Sequence, residues 1–163
     1  MADADGAAQP RATRLVPIEE VRAMSGLDFL RRIASGELPG APISGVLAFE
    51  PTTVEHGRVV FTGTPELRFY NPIGMVHGGW AATLLDSCMG CAVHSTLEPG
   101  QGYTTVEIKV SFVRPLTAST GRVEAEGRVI HSGRRIATAE GRLVDSAGRL
   151  YAHGTTTCLI LQI

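Results

Sequence analysis

The most restrictive feature of this chain is an apolar segment, residues 80–93, with one acidic side chain in its middle. It reads W-A-A-T-L-L-D-S-C-M-G-C-A-V, so a helix formed from it would be buried on all sides rather than along one face. Asp86 is the exception, because an ionised carboxylate in such surroundings costs on the order of several kcal/mol unless it is compensated. The segment therefore predicts an enclosed central helix with Asp86 as a candidate functional residue. A structural role, in which Asp86 pairs with a hidden arginine or caps a backbone group, is the alternative.

Composition narrows the class of protein. With 163 residues and 44% hydrophobic content, the chain is expected to form a single domain with a substantial core. Its 15 basic and 16 acidic residues give no signature of nucleic-acid binding or of a membrane-surface patch, and the apolar segment is too short to span a membrane. The first residues lack the pattern of a secretory signal, and three cysteines do not make a disulfide framework. We therefore expect a soluble cytoplasmic protein whose partners are small molecules or copies of itself.

The order of patterns along the chain predicts an α+β fold. Residues 1–17 lack periodicity and are expected to be a disordered tail, 18–40 carry the stripes of an N-terminal helical extension, and 41–163 are assigned to one domain. Strands are predicted on both sides of the central helix, at residues 43–50, 58–64, 103–113, 122–131, 135–145 and 149–161. This order favours an antiparallel sheet wrapped around one long helix.

Alternation within the strand at residues 103–113 divides its side chains between two faces. The prediction places Thr105 on one face, and the other, apolar face holds Thr104, Val106, Ile108, Val110 and Phe112.

The tripeptide His77-Gly78-Gly79 directly precedes the central helix. Two glycines let the backbone approach a ligand closely, and free amides at a helix start can accept an oxyanion or a polarised carbonyl. A plain tight turn is the alternative. Gly78 and Asp86 are eight residues apart, or about 12 Å along a helix, so the two residues of one chain cannot both contact the same small functional group. A two-fold dimer with antiparallel helices would bring the helix start of one subunit to the middle of the other, which suggests two sites shared between subunits.

A second pattern, Cys88-x-x-Cys91-x-x-His94, invites a metal or redox interpretation. Steps of three residues drift by about 60° around a helix, and three ligands are fewer than the four that structural zinc prefers. Dense packing of the central helix is therefore the favoured role for both cysteines, and no metal is expected. The chain contains no G-x-S-x-G elbow, phosphate-binding loop or dinucleotide fingerprint, which disfavours serine hydrolysis and nucleoside triphosphate chemistry.

Two motifs together resemble a known family. N-P-I-G-M-V-H-G-G-W-A-A-T-L-L-D-S is followed by T-T-V-E-I-K-V-S-F-V-R-P-L, and this order is similar to that of the hotdog-fold acyl-CoA thioesterases of the phenylacetic-acid-degradation (PaaI-like) type. The resemblance extends from about Gly36 to the end of the chain. It implies a long helix wrapped by an antiparallel sheet, a homodimer that often pairs again into a homotetramer, and active sites at the dimer interface. The implied substrate is a small or medium acyl-CoA, aryl-acyl groups included, and no cofactor is needed.

The resemblance also implies roles for individual residues. The amide of Gly78 would polarise the thioester carbonyl in a pocket shaped by Asn71 and His77. Asp86 from the partner would act as general base on water, or would attack the carbonyl itself to form an anhydride. A threonine hydroxyl would orient the water or the acid, with Thr105 matching this position and Thr104 as the alternative.

The remaining implied contacts are with the coenzyme A portion of the substrate. The coenzyme A arm would run over the strand turns, and the candidates for its phosphates are Arg114, Arg134 and Arg135, each of which could also be a solvated surface charge. Gly79 is also implied to be a substrate-binding residue. A non-catalytic acyl-CoA-binding protein with the same fold is the alternative function, although a pure binder has no evident need for a buried acid. A metal or redox function through Cys88 and Cys91 is a third hypothesis.

Overall fold

The computed structural model describes residues 14–163, and the tail predicted for residues 1–17 therefore lies largely outside the described residues. The N-terminal helices predicted from the apolar stripes are present as α1 (Ile18–Arg22) and α2 (Gly26–Ala34). Ser25 caps α2, because its hydroxyl accepts the Asp28 N–H at 3.1 Å. The predicted helical extension is thus confirmed.

The strand predicted at residues 43–50 is wrong over most of its length. Residues Pro42–Leu47 form a short helix, α3, which has proline in its first turn and ends at Ala48 in the left-handed conformation (φ 52°). The first strand, β1, starts only at Phe49 and includes Pro51, which is tolerated because β1 is an edge strand with a register shift between Pro51 and Thr53. Apolar content alone did not distinguish this short helix from a strand.

Within the described residues, six strands form one antiparallel sheet in the order β1-β2-β4-β5-β6-β3. The strands other than β1 agree with the predicted ones to within a few residues. Their bounds are Phe49–Glu55 (β1), Arg58–Gly63 (β2), Gln101–Phe112 (β3), Val123–Ser132 (β4), Ile136–Asp145 (β5) and Leu150–Gln162 (β6). Short 3-10 turns lie at Leu67–Phe69 and Ala118–Thr120. Strand β3 directly follows the central helix in sequence, yet it lies at the far edge of the sheet beside β6.

The central helix, α4 (Gly78–His94), packs into the concave face of this sheet. Glycines on the sheet permit the close approach, since a Cβ at Gly127 would lie 2.3 Å from the Cys88 carbonyl oxygen. The expectation that α4 is buried on all sides is wrong for a single chain. Its buried side faces the sheet, whereas the opposite stripe, which includes Ala82, Thr83 and Asp86, is only half-buried because the curved sheet does not reach around it.

Strand β3 departs from simple alternation. Its pairing with β6 shifts register between Thr105 and Glu107, so Val106 is an extra residue in a bulge. The single apolar face predicted from Thr104 to Phe112 is therefore wrong: Thr105 faces the helix before the bulge, and Ile108, Val110 and Phe112 take that face after it. The outer edge of β3 has no strand beside it within the described sheet, and Val106 and Phe112 are each 56% exposed.

None of the helices in residues 14–163 is both long enough and apolar enough to cross a membrane.

Candidate active site

A tight loop, residues 71–77, leads into the start of α4. The Asn71 side-chain oxygen accepts the backbone N–H groups of Ile73 and Met75 at 3.1 and 3.2 Å, and the Asn71 N–H donates to the Met75 carbonyl at 2.7 Å. Gly74, with φ of 87°, supplies the left-handed turn inside the loop. Asn71 therefore fixes the shape of the loop in which it lies, and it also lines the pocket that the loop borders.

His77 caps α4 and decides which glycine amide is available. Its Nδ1 accepts the Gly79 N–H at 2.9 Å, and its own backbone N–H donates to the Phe69 carbonyl at 2.8 Å. A neutral imidazole that accepts at Nδ1 carries its proton on Nε2. In the described part of the chain, no acceptor pairs with the amide of Gly78. Gly78, and not Gly79, therefore presents a free donor at the positive end of the helix dipole.

The free amide opens onto a pocket of about 330 Å³. The polar lining residues are Asn71, His77, Arg114 and Tyr151, while the walls are mostly apolar. The ring of Phe112 closes over the helix start, since a Cβ at Gly78 would lie 3.1 Å from its Cζ. Glycine at this position thus keeps the amide open beside an aromatic wall.

Asp86 lies in a separate place on the half-buried side of α4. Its Oδ1 accepts the hydroxyl of Thr105 at 3.0 Å, across the gap between α4 and β3. Thr104 is exposed and lies on the opposite face of β3, before the bulge. Of the two threonines considered from the sequence, the structure therefore brings Thr105 to the acid.

The residues considered from the sequence thus fall into three places in one chain. Asn71, His77, Gly78 and Arg114 share the pocket at the helix start, and Asp86, which does not line that pocket, pairs with Thr105. Gly79 lies at the helix start with its amide occupied by His77. The third place is a groove of about 660 Å³ lined by Arg134, Arg135, Gln101 and Gln162.

Comparison with known proteins identifies the family. The thioesterase superfamily matches residues 73–152, which include most of the loop, all of α4 and strands β3, β4 and β5. The proofreading thioesterase EntH of Klebsiella pneumoniae is 31% identical over 98 residues, which are 60% of this chain and 70% of that protein. This chain belongs to the thioesterase superfamily. As the resemblance in its motifs indicated, it is a thioester hydrolase.

Solved structures similar to this thioesterase share its hotdog fold. A phenylacetic acid degradation-related protein from Ralstonia eutropha JMP134 is 30% identical, with a TM-score of 0.73 over 80% of this chain and 98% of that one. The PaaI protein from the phenylacetic acid degradation operon of Escherichia coli has a TM-score of 0.72 over 85% of this chain and 96% of that one, and at 20% identity it shows the fold alone. The prediction of a hotdog fold with a long central helix is confirmed.

The cysteines of α4 have the environment of packed core groups in this thioesterase. Burial raises the pKa of Cys88 well above its usual value and raises that of Cys91 to about 12. The Cys88 thiol donates to the Leu85 carbonyl, and the His94 ring stacks on Phe29 at 5.6 Å. Among residues 14–163, no three His, Cys, Asp or Glu side chains are grouped as metal ligands would be.

One pocket residue, Tyr151, was missed by sequence reasoning. The β5–β6 ladder passes from the pair Leu143 and Ala152 to the pair Val144 and Leu150, so Tyr151 is skipped. Its side chain is buried beside the pocket although neighbouring residues alternate normally. No pattern in the sequence marks such a bulge, and only the proximity of Tyr151 to the β5–β6 turn could have suggested it.

Proposed function

We propose that this thioesterase hydrolyses a small or medium acyl-CoA thioester at two sites, each shared between the subunits of a homodimer. The observation that carries the proposal is the separation of the free Gly78 amide from the Asp86–Thr105 pair in one chain. Eight residues of helix hold them about 12 Å apart along its axis, too far to act on one carbonyl. A second copy is the simplest source of the missing half of each site.

Symmetry supports this arrangement. If two α4 helices lie antiparallel about a two-fold axis near Ala82, Gly78 of one subunit is opposite the partner's Asp86, and the reverse holds at the second site. The half-buried stripe of α4 and the exposed apolar edge of β3 are the surfaces that such a dimer would cover. Further pairing of dimers into a tetramer is part of the proposal and would use other surfaces.

The chemistry follows from these two halves. The Gly78 N–H would donate to the thioester oxygen and stabilise the negative charge that develops there. The carboxylate of Asp86, held by the Thr105 hydroxyl, would take a proton from water as its oxygen attacks the carbonyl carbon. Direct attack by Asp86, which gives an anhydride, is the other route open to the same geometry. In the first route the carbon–sulfur bond breaks and the proton taken by Asp86 passes to the departing thiolate. In the second, the carbon–sulfur bond breaks as the anhydride forms, and water then cleaves the anhydride, which frees the acid, restores the Asp86 carboxylate and supplies the proton for the coenzyme A thiol.

The bound substrate would extend from the pocket over the protein surface. We propose that Gly79 contacts the substrate and that the phosphates of the coenzyme A arm bind Arg114, which lines the pocket, and Arg134 and Arg135, which line the larger groove. Two of the similar structures are described as proteins of phenylacetic acid degradation. Aryl-acyl thioesters should therefore be tested as substrates together with straight-chain ones.

A panel of acyl-CoA and aryl-acyl-CoA thioesters, assayed by release of free thiol, tests the activity. Asp86→Asn is expected to lower kcat by about 10²- to 10⁴-fold, the usual contribution of a general base. Thr105→Val is expected to lower it less, and Thr104→Val, the neighbouring threonine on the opposite face, is the matched control with unchanged kcat. Comparable rates for wild type and Asp86→Asn would refute the mechanism. Tight binding without turnover would support the alternative, a non-catalytic acyl-CoA-binding protein.

The donor role of Gly78 has its own pair of variants. Gly78→Pro removes the N–H at a helix position where proline is favoured, and the extended conformation of His77 (ψ 132°) is compatible with a following proline. Gly78→Ala adds a Cβ at the same place but keeps the N–H. We expect Gly78→Pro to lose about 10²-fold more kcat than Gly78→Ala, as when an oxyanion donor is removed. Equal losses would show that the amide does not act.

Mixing two inactive variants tests whether the site is shared. In a heterodimer of Asp86→Asn and Gly78→Pro subunits, one site combines an intact Gly78 with an intact Asp86. Equal mixing after reversible dissociation should therefore restore about a quarter of wild-type activity, because half the dimers are mixed and each has one intact site. A site contained within one chain would give no recovery.

A further inference from the structure

Arg114 is the one arginine or lysine among the described residues that line the pocket at the helix start. Its Nη1 donates to the Leu150 carbonyl at 2.6 Å, and its guanidinium carbon lies 5.6 Å from the centre of the Tyr151 ring, within cation–π range. In residues 14–163 it forms no ion pair with a carboxylate. Since a guanidinium has five N–H donors, most of its donors remain for a ligand.

The ring beneath this guanidinium is itself held in place. Tyr151 is 5% exposed, and its hydroxyl donates to Asp145 Oδ2 at 3.2 Å. Asp145, which is 4% exposed, also accepts the N–H groups of Ala147 and Arg149 at 2.9 Å and the Arg149 Nε at 2.7 Å. The Asp145 charge is therefore satisfied within the β5–β6 turn, so that carboxylate is a fixed acceptor for the tyrosine.

These hydrogen bonds also set the ionisation of the acid. Burial alone would raise the pKa of Asp145, but the hydrogen bonds from Arg149, Ala147 and Tyr151 outweigh it and hold the pKa below its usual range. Asp145 stays ionised at neutral pH as a result.

We propose that Asp145 and Tyr151 are positioning residues that hold Arg114 at the pocket, where its guanidinium binds an anionic oxygen group of the substrate. The proposal rests on the thioesterase function proposed above and adds the two residues that position Arg114 and a second possible source of its anion. The group is a carboxylate or a phosphate, the two anions that match the planar fork of arginine. It belongs either to coenzyme A or to an acyl group that carries a free carboxylate in addition to the thioester.

Assays of Arg114→Gln with three substrates show whether the anion that binds Arg114 belongs to coenzyme A or to the acyl group. Butyryl-CoA carries phosphates alone, succinyl-CoA carries phosphates and an acyl carboxylate, and the N-acetylcysteamine thioester of butyrate carries neither. For every substrate that carries the recognised anion, we expect Arg114→Gln to raise KM by about tenfold, as for loss of a hydrogen bond to a charged group, with kcat nearly unchanged. A rise with butyryl-CoA that is absent with the N-acetylcysteamine thioester assigns the phosphate, and a rise confined to succinyl-CoA assigns the acyl carboxylate. Equal changes with all three substrates, or no change, overturn the proposal.

A double-mutant cycle tests the positioning. Tyr151→Phe keeps the ring but removes the hydrogen bond to Asp145, and we expect it to raise KM several-fold with little change in kcat. The same substitution in the Arg114→Gln background should have no further effect, because Tyr151 acts through Arg114. Additive effects of the two substitutions would refute the positioning role.

A second tyrosine provides the matched control. The Tyr70 hydroxyl accepts the Ala118 N–H at 2.7 Å, so Tyr70→Phe also removes one hydrogen bond but does not touch Arg114. It should leave KM unchanged, whatever its effect on the melting temperature. If the wild type hydrolysed no thioester, the proposed function would fail, and calorimetric titration with coenzyme A would still show whether Arg114→Gln weakens binding of its phosphates.

Discussion

Adding a single methyl group at Gly127 should displace the helix that carries Asp86. In Gly127→Ala the new Cβ would lie 2.3 Å from the Cys88 carbonyl oxygen, 2.4 Å from its carbonyl carbon and 2.6 Å from the Met89 nitrogen, whereas ordinary contact begins at 3.4 Å. The neighbours are backbone atoms of α4, so the overlap is relieved only by separating helix and sheet by about 1 Å. We expect a loss of about 3 kcal/mol of unfolding free energy, the upper range for overpacked cores.

Two other glycines calibrate this expectation. At Gly141 a Cβ would meet side-chain atoms, 2.8 Å from Met89 Cγ and 3.2 Å from Leu85 Cδ2, which can rotate away, so about 1 kcal/mol is expected. At Gly45, in the middle of α3, a Cβ would meet no atom within 4 Å. Gly45→Ala should therefore stabilise the protein by about 0.5–1 kcal/mol through helix propensity.

Thermal unfolding and the thioester assay together measure the effect. For a chain of this length, about 3 kcal/mol corresponds to a fall in melting temperature of roughly 6–12 °C. Because Cys88 is only two residues from Asp86, a 1 Å displacement should also lower kcat of the folded protein by about 100-fold. A melting temperature within about 2 °C of wild type, with kcat intact, would refute the close approach of sheet and helix.

Three further predictions concern separate features of the fold. Burial lowers the pKa of His94, so the His94 imidazole binds a proton more readily in the unfolded chain than in the folded one. The free energy of unfolding in urea should therefore fall as the pH drops below about 6.5, and His94→Phe should flatten this dependence. Val106→Lys places a charge on the free edge of β3 and should yield monomers by light scattering together with loss of activity. Asn71→Ala removes two hydrogen bonds from the loop before α4 and should lower the unfolding free energy by about 1–2 kcal/mol, and kcat/KM as well.

The sequence was most informative where one element carried a long, consistent pattern. Continuous apolar character predicted α4, and period-two alternation bounded by turn residues predicted the strands after it to within a few residues. It was least informative where a single residue changed the backbone. The left-handed Ala48 ends a helix that had been predicted as a strand, and the Val106 bulge exchanges the two faces of β3.

The same distinction applies to the candidate site. Motif order drew attention to Gly78, Asp86 and the threonine pair, and helical geometry showed that the first two could not meet in one chain. The choice of Gly78 over Gly79 depends on the His77 side chain, and the choice of Thr105 over Thr104 depends on the strand facing α4. The first contact is local, between residues two apart, whereas the second is a tertiary contact that spacing along the sequence does not specify.

The strand order also has a consequence for how the protein is made. Strand β3 leaves the ribosome directly after α4, but its hydrogen-bonding partner, β6, is synthesised only after β4 and β5. Until residues 150–162 emerge, a strand with exposed apolar side chains and two open edges has no partner, a condition that favours association with chaperones or with other chains. The pairing of Thr105 with Asp86 cannot be fixed earlier than that. A truncation that removes β6 would therefore produce an aggregation-prone chain rather than a weakened enzyme.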